Sequence, residues 1–268
     1  EEGCMFHSHI DGSRHQFTPE NNVDTQRIIG ADIMMALDEC CPGDADHAYA
    51  SKSLKLTEGW LERYAKRFSQ TEPLYGYSQT FFPIIQGCVY PDLRTEAAEH
   101  ALKYADAGIA IGGLAVGEPT EKMYEMIELL NPVIPQDKAR YLMGVGTPEN
   151  ILEAISRGVD MFDCVMPTRN GRNGMLFTWN GIMNMRNKKW EDDFSPLDPM
   201  GTSFVDSHYT KAYLRHLFIA GEMFAAMIAS EHNLAFYLDV VRQARAHIKA
   251  GDFKQWKEEA VRKLTSRM

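Results

Sequence analysis

GIAIGGLAVG, residues Gly108–Gly117, is the stretch whose reading decides the fold. Ile109, Ala110 and Ile111 follow one another without polar alternation and then meet the pair Gly112-Gly113. An unbroken apolar run closed by glycine is what a strand buried on both faces of a parallel sheet requires. Four more runs have the same form: Ala31–Glu39 (ADIMMALDE), Phe81–Gly87 (FFPIIQG), Arg140–Gly146 (RYLMGVG) and Val159–Val165 (VDMFDCV). Between them the apolar spacing becomes helical. Ala50, Leu54, Leu56, Trp60, Leu61, Tyr64 and Phe68 recur at three- and four-residue steps, and Thr95–Ala107 and Glu121–Leu130 read the same way. Thr147-Pro148-Glu149 is a helix start, with a capping residue, a first-turn proline and an early acid. Strand alternating with helix gives βαβ units, and these build either a doubly wound sheet or a (β/α)8 barrel. After Val165 the pattern becomes a loop, and a helix-rich tail runs from about Tyr209 to Met268.

Length and composition agree with a folded α/β chain. The 268 residues are 44% hydrophobic and 24% charged, which excludes a disordered chain. No run approaches a membrane span, and no signal-peptide core precedes the first strand. The five cysteines form no framework, which suits a reducing cytoplasm. The net charge of −9 speaks weakly against a nucleic-acid partner, but it is an average. Residues 1–165 hold 13 basic and 26 acidic side chains, whereas residues 166–190 hold five basic and none acidic. That basic island also contains Phe177, Trp179, Trp190 and several asparagines. Cations mixed with aromatic and amide groups suit RNA, although a solvated basic loop has the same composition.

Polar residues close the apolar runs: Asp38-Glu39, Gln86, Gly112-Gly113, Gly144 and Asp163. In a barrel such strand ends converge on the mouth where active sites are built. Asp163, between Phe162 and Cys164, reads as a carboxylate in an apolar, partly dry setting, able to act as nucleophile or base. It equally suits a cap for the next turn. Asp38 offers acceptors for paired N–H donors on a planar base, and it too could be a cap. Gln86 offers one donor and one acceptor. The glycines admit either a close ligand or simply a tight turn. His7 and His9 lack partners at metal spacing and read as ordinary polar residues. The glycines of 112–117 lack the spacing of a dinucleotide fingerprint, which excludes NAD.

Longer motifs go further. SHIDGSRH (Ser8–His15), GADIMMALDEC (Gly30–Cys40), PIIQG (Pro83–Gly87), IGGLAVGE (Ile111–Glu118), YLMGVGTPENI (Tyr141–Ile151), DMFDCVMPTRNGRNG (Asp160–Gly174) and AYLRHLF…EHNLAFY (Ala212–Tyr237) occur in order along the chain. Together they resemble the bacterial-type tRNA-guanine transglycosylases. The resemblance implies a (β/α)8 barrel with about five of its strands in this chain. It divides the chain into a barrel portion with base pocket and RNA segment (1–190) and a helical subdomain (191–268). It implies exchange of guanine at the tRNA wobble position for preQ1, the 7-aminomethyl-7-deazaguanine of queuosine biosynthesis. Asp163 would attack the ribose C1′ and hold a covalent RNA intermediate. Asp38 and Gln86 would bind the base, the Gly113 N–H and Leu114 carbonyl would complete the pocket, and Met143 would pack on the base face. Glu118 would set the pocket backbone, and Cys40 and Val116 look like the form that takes small preQ1. Arg169 and Arg172 would contact an anticodon loop of GUN sequence. A cytoplasmic homodimer acting on tRNA, without membrane contact, is expected.

Two departures follow from the same comparison. The family's structural zinc is held by C-x-C-x-x-C and a later histidine. His232 stands at the histidine position, but Gly201, Ser203 and Asp206 occupy the cysteine positions. One histidine and one aspartate do not make such a site, so no zinc and no other cofactor is expected. The family's first three strand–helix units, with a second catalytic aspartate, have no counterpart, so an incomplete chain is expected. A rival reading is a zinc-free, catalytically weak paralogue that binds tRNA or supports a partner subunit. A generic barrel binding a purine-like metabolite is a third.

Overall fold

A computed structural model describes residues 2–268, which fall into two compact units. One comprises the chain up to Gly144 together with Arg157–Phe162, and the other Val145–Ser156 together with Asp163–Met268.

The first unit opens with an antiparallel hairpin, β1 (Cys4–His7) and β2 (Arg14–Phe17). Helix α1 (Pro19–Ile29) follows. Its Thr18 cap accepts from the Asn21 N–H at 3.2 Å, and Gly30 ends it in the left-handed conformation. Next come β3 (Ile33–Met35) and α2 (His47–Ser69), the latter capped by Asp46. The strand read over Phe81–Gly87 is present in two pieces, β4 (Thr80–Phe82) and β5 (Ile84–Ile85). Pro83 separates them because it has no N–H to give to a ladder. Strand β4 pairs in parallel with β3. The Pro83 carbonyl accepts from the Ala110 N–H at 2.9 Å, and from there the chain pairs to the other side. After α3 (Pro91–Ala101), β6 (Gly108–Ile111), α4 (Thr120–Leu130), β7 (Ala139–Leu142) and β8 (Met161–Phe162), a parallel sheet runs in the order β5-β6-β7-β8.

Alternate residues of these strands share one apolar cluster: Phe82, Ile84 and Ala110 with Ile33, Met35, Ala139, Tyr141, Met143 and Met161. The two-residue period of a strand puts them on one face. On the outer face α2 and α3 bury their own stripes, including Leu54, Leu61, Leu93 and Ala97. The third helix starts four residues before its expected Thr95, because Pro91 presets the backbone of the first turn.

The second unit contains α5 (Pro148–Ile155), α6 (Met166–Arg172), the hairpin β9 (Met175–Thr178)–β10 (Gly181–Asn184), and four helices, α7 (Phe204–His208), α8 (Lys211–Ala220), α9 (Met223–Ala250) and α10 (Phe253–Leu264). The basic island is therefore not the loop read from the sequence. It is a short helix and a hairpin, tied down by side chains from α9. Lys257 on α10 donates to both carboxylate oxygens of Glu153 on α5 at 2.8 Å, tying these two helices together. Among the described residues no helix is long and apolar enough to cross a membrane.

Candidate active site

In the first unit the turns after β3, β5 and β6 bring four of the expected residues together. The Gln86 Nε2 donates to Asp38 Oδ2 at 2.6 Å. An ionised carboxylate only accepts, so the amide nitrogen must face it and Gln86 Oε1 points elsewhere. That oxygen is buried and has no hydrogen-bond partner, in a side chain only 2% exposed. A buried acceptor left open costs of order 1–3 kcal/mol, which a donor on a bound molecule would recover. Burial pushes the Asp38 carboxyl above its usual 3.8, while the bonds from Gln86 and from its own backbone hold it back.

The glycines are needed for the approach and not only for the turn. A Cβ on Gly113 would fall onto Gln86 Oε1, and one on Gly112 would lie 2.8 Å from Gln86 Nε2. Gly113 also has φ +63°, which disfavours any other residue. Burial raises the Cys40 thiol, with the Asp38 charge adding to the effect. The Arg94 charge and the Gly113 N–H beside the sulfur work the other way. Leu114 is 2% exposed at the close of this turn. Glu118 accepts from the Ala115 and Val116 backbone N–H groups, the latter at 2.9 Å, and so holds a turn in which Ala115 sits at φ +61°. Met143, at the end of β7, is half-buried against the apolar cluster.

One residue of this site escaped the sequence reading. Arg94 on α3 is fully buried and hydrogen-bonds four backbone carbonyls: Cys88 at 2.7 Å, Ile85 at 3.0 Å, Gly112 at 2.7 Å and Gly113 at 3.0 Å. Burial lowers its pKa to about 10. A signal was present: Arg94 lies three, four and seven residues before Ala97, Ala98 and Ala101, on the stripe that faces the core.

The second unit holds the other expected residues. Asp163 is exposed, not in the apolar setting read from its neighbours: it lies just past the end of β8, and Phe162 and Cys164 on either side are only half-buried. Cys164 is half-buried, its Sγ 3.3 Å from the Gly146 carbonyl, and burial raises its thiol. Arg169 and Arg172 are exposed on α6. The opposite side of that helix buries Pro167 and Gly171, and a Cβ on Gly171 would lie 2.9 Å from the α9 backbone at Ala229 and Ser230. Close packing through glycine thus fixes which way the arginines face.

His232 is 1% exposed, with Nε2 2.8 Å from the Phe177 carbonyl and Nδ1 2.5 Å from Asp206 Oδ1. The other Asp206 oxygen accepts from the Ser203 N–H at 2.8 Å. Both ring nitrogens are engaged, and a Cβ on Gly201 would collide with the Asp206 carboxylate. These residues do not fit a zinc ion, which needs a free nitrogen lone pair and three further donors around it. His7 lies in β1, and among the described residues no three His, Cys, Asp or Glu side chains group as metal ligands.

A family model described as Queuine tRNA-ribosyltransferase matches residues 1–266. The chain belongs to the queuine tRNA-ribosyltransferase family. A protein of that name from Aquifex aeolicus is 47% identical over 270 residues, covering 100% of this chain and 70% of the relative. One from Caldanaerobacter subterraneus subsp. tengcongensis is 46% identical, covering 98% of this chain and 69% of its own length. A third, from Nitratidesulfovibrio vulgaris, is 47% identical with coverages of 96% and 68%. Membership accounts for the ordered motifs from Ser8 to Tyr237 as one inheritance and not as separate coincidences.

Proposed function

We propose that this chain exchanges a base in tRNA through a covalent bond to Asp163. The activity is tRNA-guanine transglycosylation in queuosine biosynthesis, consistent with the family model and the names of the relatives. The observation that carries the base-exchange chemistry is the Gln86–Asp38 pair with its open buried acceptor. Guanine and 7-deazaguanines share one edge: a ring N–H and an exocyclic amine that donate, and a carbonyl that accepts. Asp38 and Gln86 Oε1 supply acceptors for the former, and the Gly113 N–H supplies a donor for the latter. Leu114 and Cys40 line the side that takes the small aminomethyl group of preQ1, Met143 packs on the ring, and Glu118 holds the turn.

In the reaction, the Asp163 carboxylate forms a bond to C1′ as the C1′–N9 bond breaks, and guanine departs with the bonding pair and takes up a proton. The incoming base then attacks C1′ through N9, loses its proton and frees the carboxylate. Two displacements at one carbon restore its configuration. Arg169 and Arg172 contact bases of an anticodon loop of GUN sequence. Incubation with tRNA and radiolabelled guanine tests the reading: incorporation supports it, and none sinks it. The scaffold alternative gains no observation, since the relatives carry the enzyme's name.

Three further proposals complete this reading. Residues 1–190 form the portion of a (β/α)8 barrel with base pocket and RNA segment, residues 191–268 the helical subdomain. The shared apolar cluster from β3 to β8 is the interior such a barrel needs. The protein works without zinc, its place taken by the His232–Asp206 pair. It is a cytoplasmic homodimer, for which the exposed Met223, Met227, Leu234 and Leu238 along α9 supply an apolar face.

Two predictions test the assigned residues. Guanine affinity weakens as pH falls through the raised Asp38 pKa, because the protonated carboxyl loses acceptor capacity. The loss begins above pH 3.8, the ordinary aspartate value, and Asp38→Asn removes it while weakening guanine binding roughly 10- to 100-fold. A KM for guanine that is flat with pH in the unsubstituted protein contradicts this. Arg169→Ala or Arg172→Ala raises the KM for tRNA about tenfold or more and leaves the KM for guanine alone. Equal changes in both would remove these residues from RNA recognition.

A further inference from the structure

We infer that Arg94 is the positioning residue that aims the backbone of the base pocket, a role that rests on the base-exchange reading above. Its guanidinium takes carbonyls from both sides of the pocket: Ile85 and Cys88 flank Gln86, and Gly112 and Gly113 form the facing turn. In a trans peptide the C=O and the following N–H point in opposite directions. Turning the Gly112 carbonyl toward Arg94 therefore turns the Gly113 N–H away from it, to the side where the Cys40 sulfur lies. The same holds for the Ile85 carbonyl and the Gln86 N–H.

The arrangement solves a problem set by the chain itself. Gly112-Gly113 must be glycine to clear Gln86, and two glycines leave the turn free to rotate its peptides. A flipped peptide would present a carbonyl where a guanine carbonyl needs a donor. Arg94 removes that freedom with a planar fork that lysine cannot reproduce. Its four partners are carbonyl dipoles, so the charge contributes orientation without forming an ion pair with Asp38. The side chain touches no substrate atom in this scheme and acts only through the peptides it holds.

Steady-state guanine exchange by the unsubstituted protein, Arg94→Lys and Arg94→Ala tests this. In folded variants the KM for guanine rises roughly 10- to 100-fold, kcat falls less than about threefold, and the KM for tRNA stays put. Millimolar guanidinium ion restores the guanine KM of Arg94→Ala. An unchanged guanine KM, or a fall in kcat alone, overturns the inference. If neither variant folds, hydrogen exchange of the ¹⁵N-labelled Arg94 guanidinium in the unsubstituted protein decides: slow exchange shows it locked onto the pocket carbonyls, and fast, solvent-like exchange overturns the inference. Absence of exchange by the unsubstituted protein would instead sink the base-exchange reading, so the two failures are distinguishable.

Discussion

Asp163→Ala abolishes guanine exchange, with a loss of at least about 10⁴-fold, and no covalent tRNA adduct accumulates on denaturing gels. In the proposed reaction the carboxylate forms the bond to C1′, so its removal deletes a step and does not merely weaken a contact. Asp163→Asn gives the same loss with almost no change in shape, which separates chemistry from packing. The neighbouring Cys164 does not substitute for it: its thiol is half-buried, its Sγ faces the Gly146 carbonyl, and burial disfavours the thiolate. The exposed position of Asp163 suits a nucleophile that must reach the ribose of a large RNA. Adduct formation by either variant would remove Asp163 from the reaction.

Asp206→Ala lowers the thermal midpoint by roughly 6–12 °C, whereas strong zinc chelators leave the unsubstituted protein where it was. The first effect follows from breaking a buried hydrogen-bonded pair, about 3 kcal/mol, spread over a chain of this size. His232 would keep its bond to Phe177 and lose its Asp206 partner, and the Ser203 N–H would lose its acceptor. The second follows from chemistry: both imidazole nitrogens are spent on protein partners, and Gly201 supplies no donor at all. Elemental analysis of the purified protein should find well under one zinc per chain. Stoichiometric zinc, or a midpoint that drops with chelator, would contradict the proposal. Restoring cysteine at positions 201, 203 and 206 together should create zinc binding and chelator sensitivity.

Much of this was legible in the residues. The five apolar runs are strands, and the helices over 47–69, 120–130 and 148–155 stand where their periodicity and caps put them. Pro83 shows the limit: periodicity found the strand, but only pairing shows that its two halves belong to different neighbours. The basic island was legible as charge and not as structure. Its helix is short, and its shape depends on Gly171 meeting the α9 backbone and on Asn233, which accepts from the Phe177 N–H and donates to the Pro167 and Met175 carbonyls.

By itself the sequence determined the alternation of strand and helix and the family, and it singled out the candidate site residues, because local spacing and motif order are properties of the chain. Only the tertiary structure decided how those residues are placed and partnered. It set Gln86 against Asp38, left one amide oxygen open, and buried Arg94 against the Gly112-Gly113 turn and the carbonyls flanking Gln86. It also closed His232 onto Asp206. Burial, hydrogen-bond partners and peptide orientation depend on groups up to tens of residues apart, and no local pattern records them.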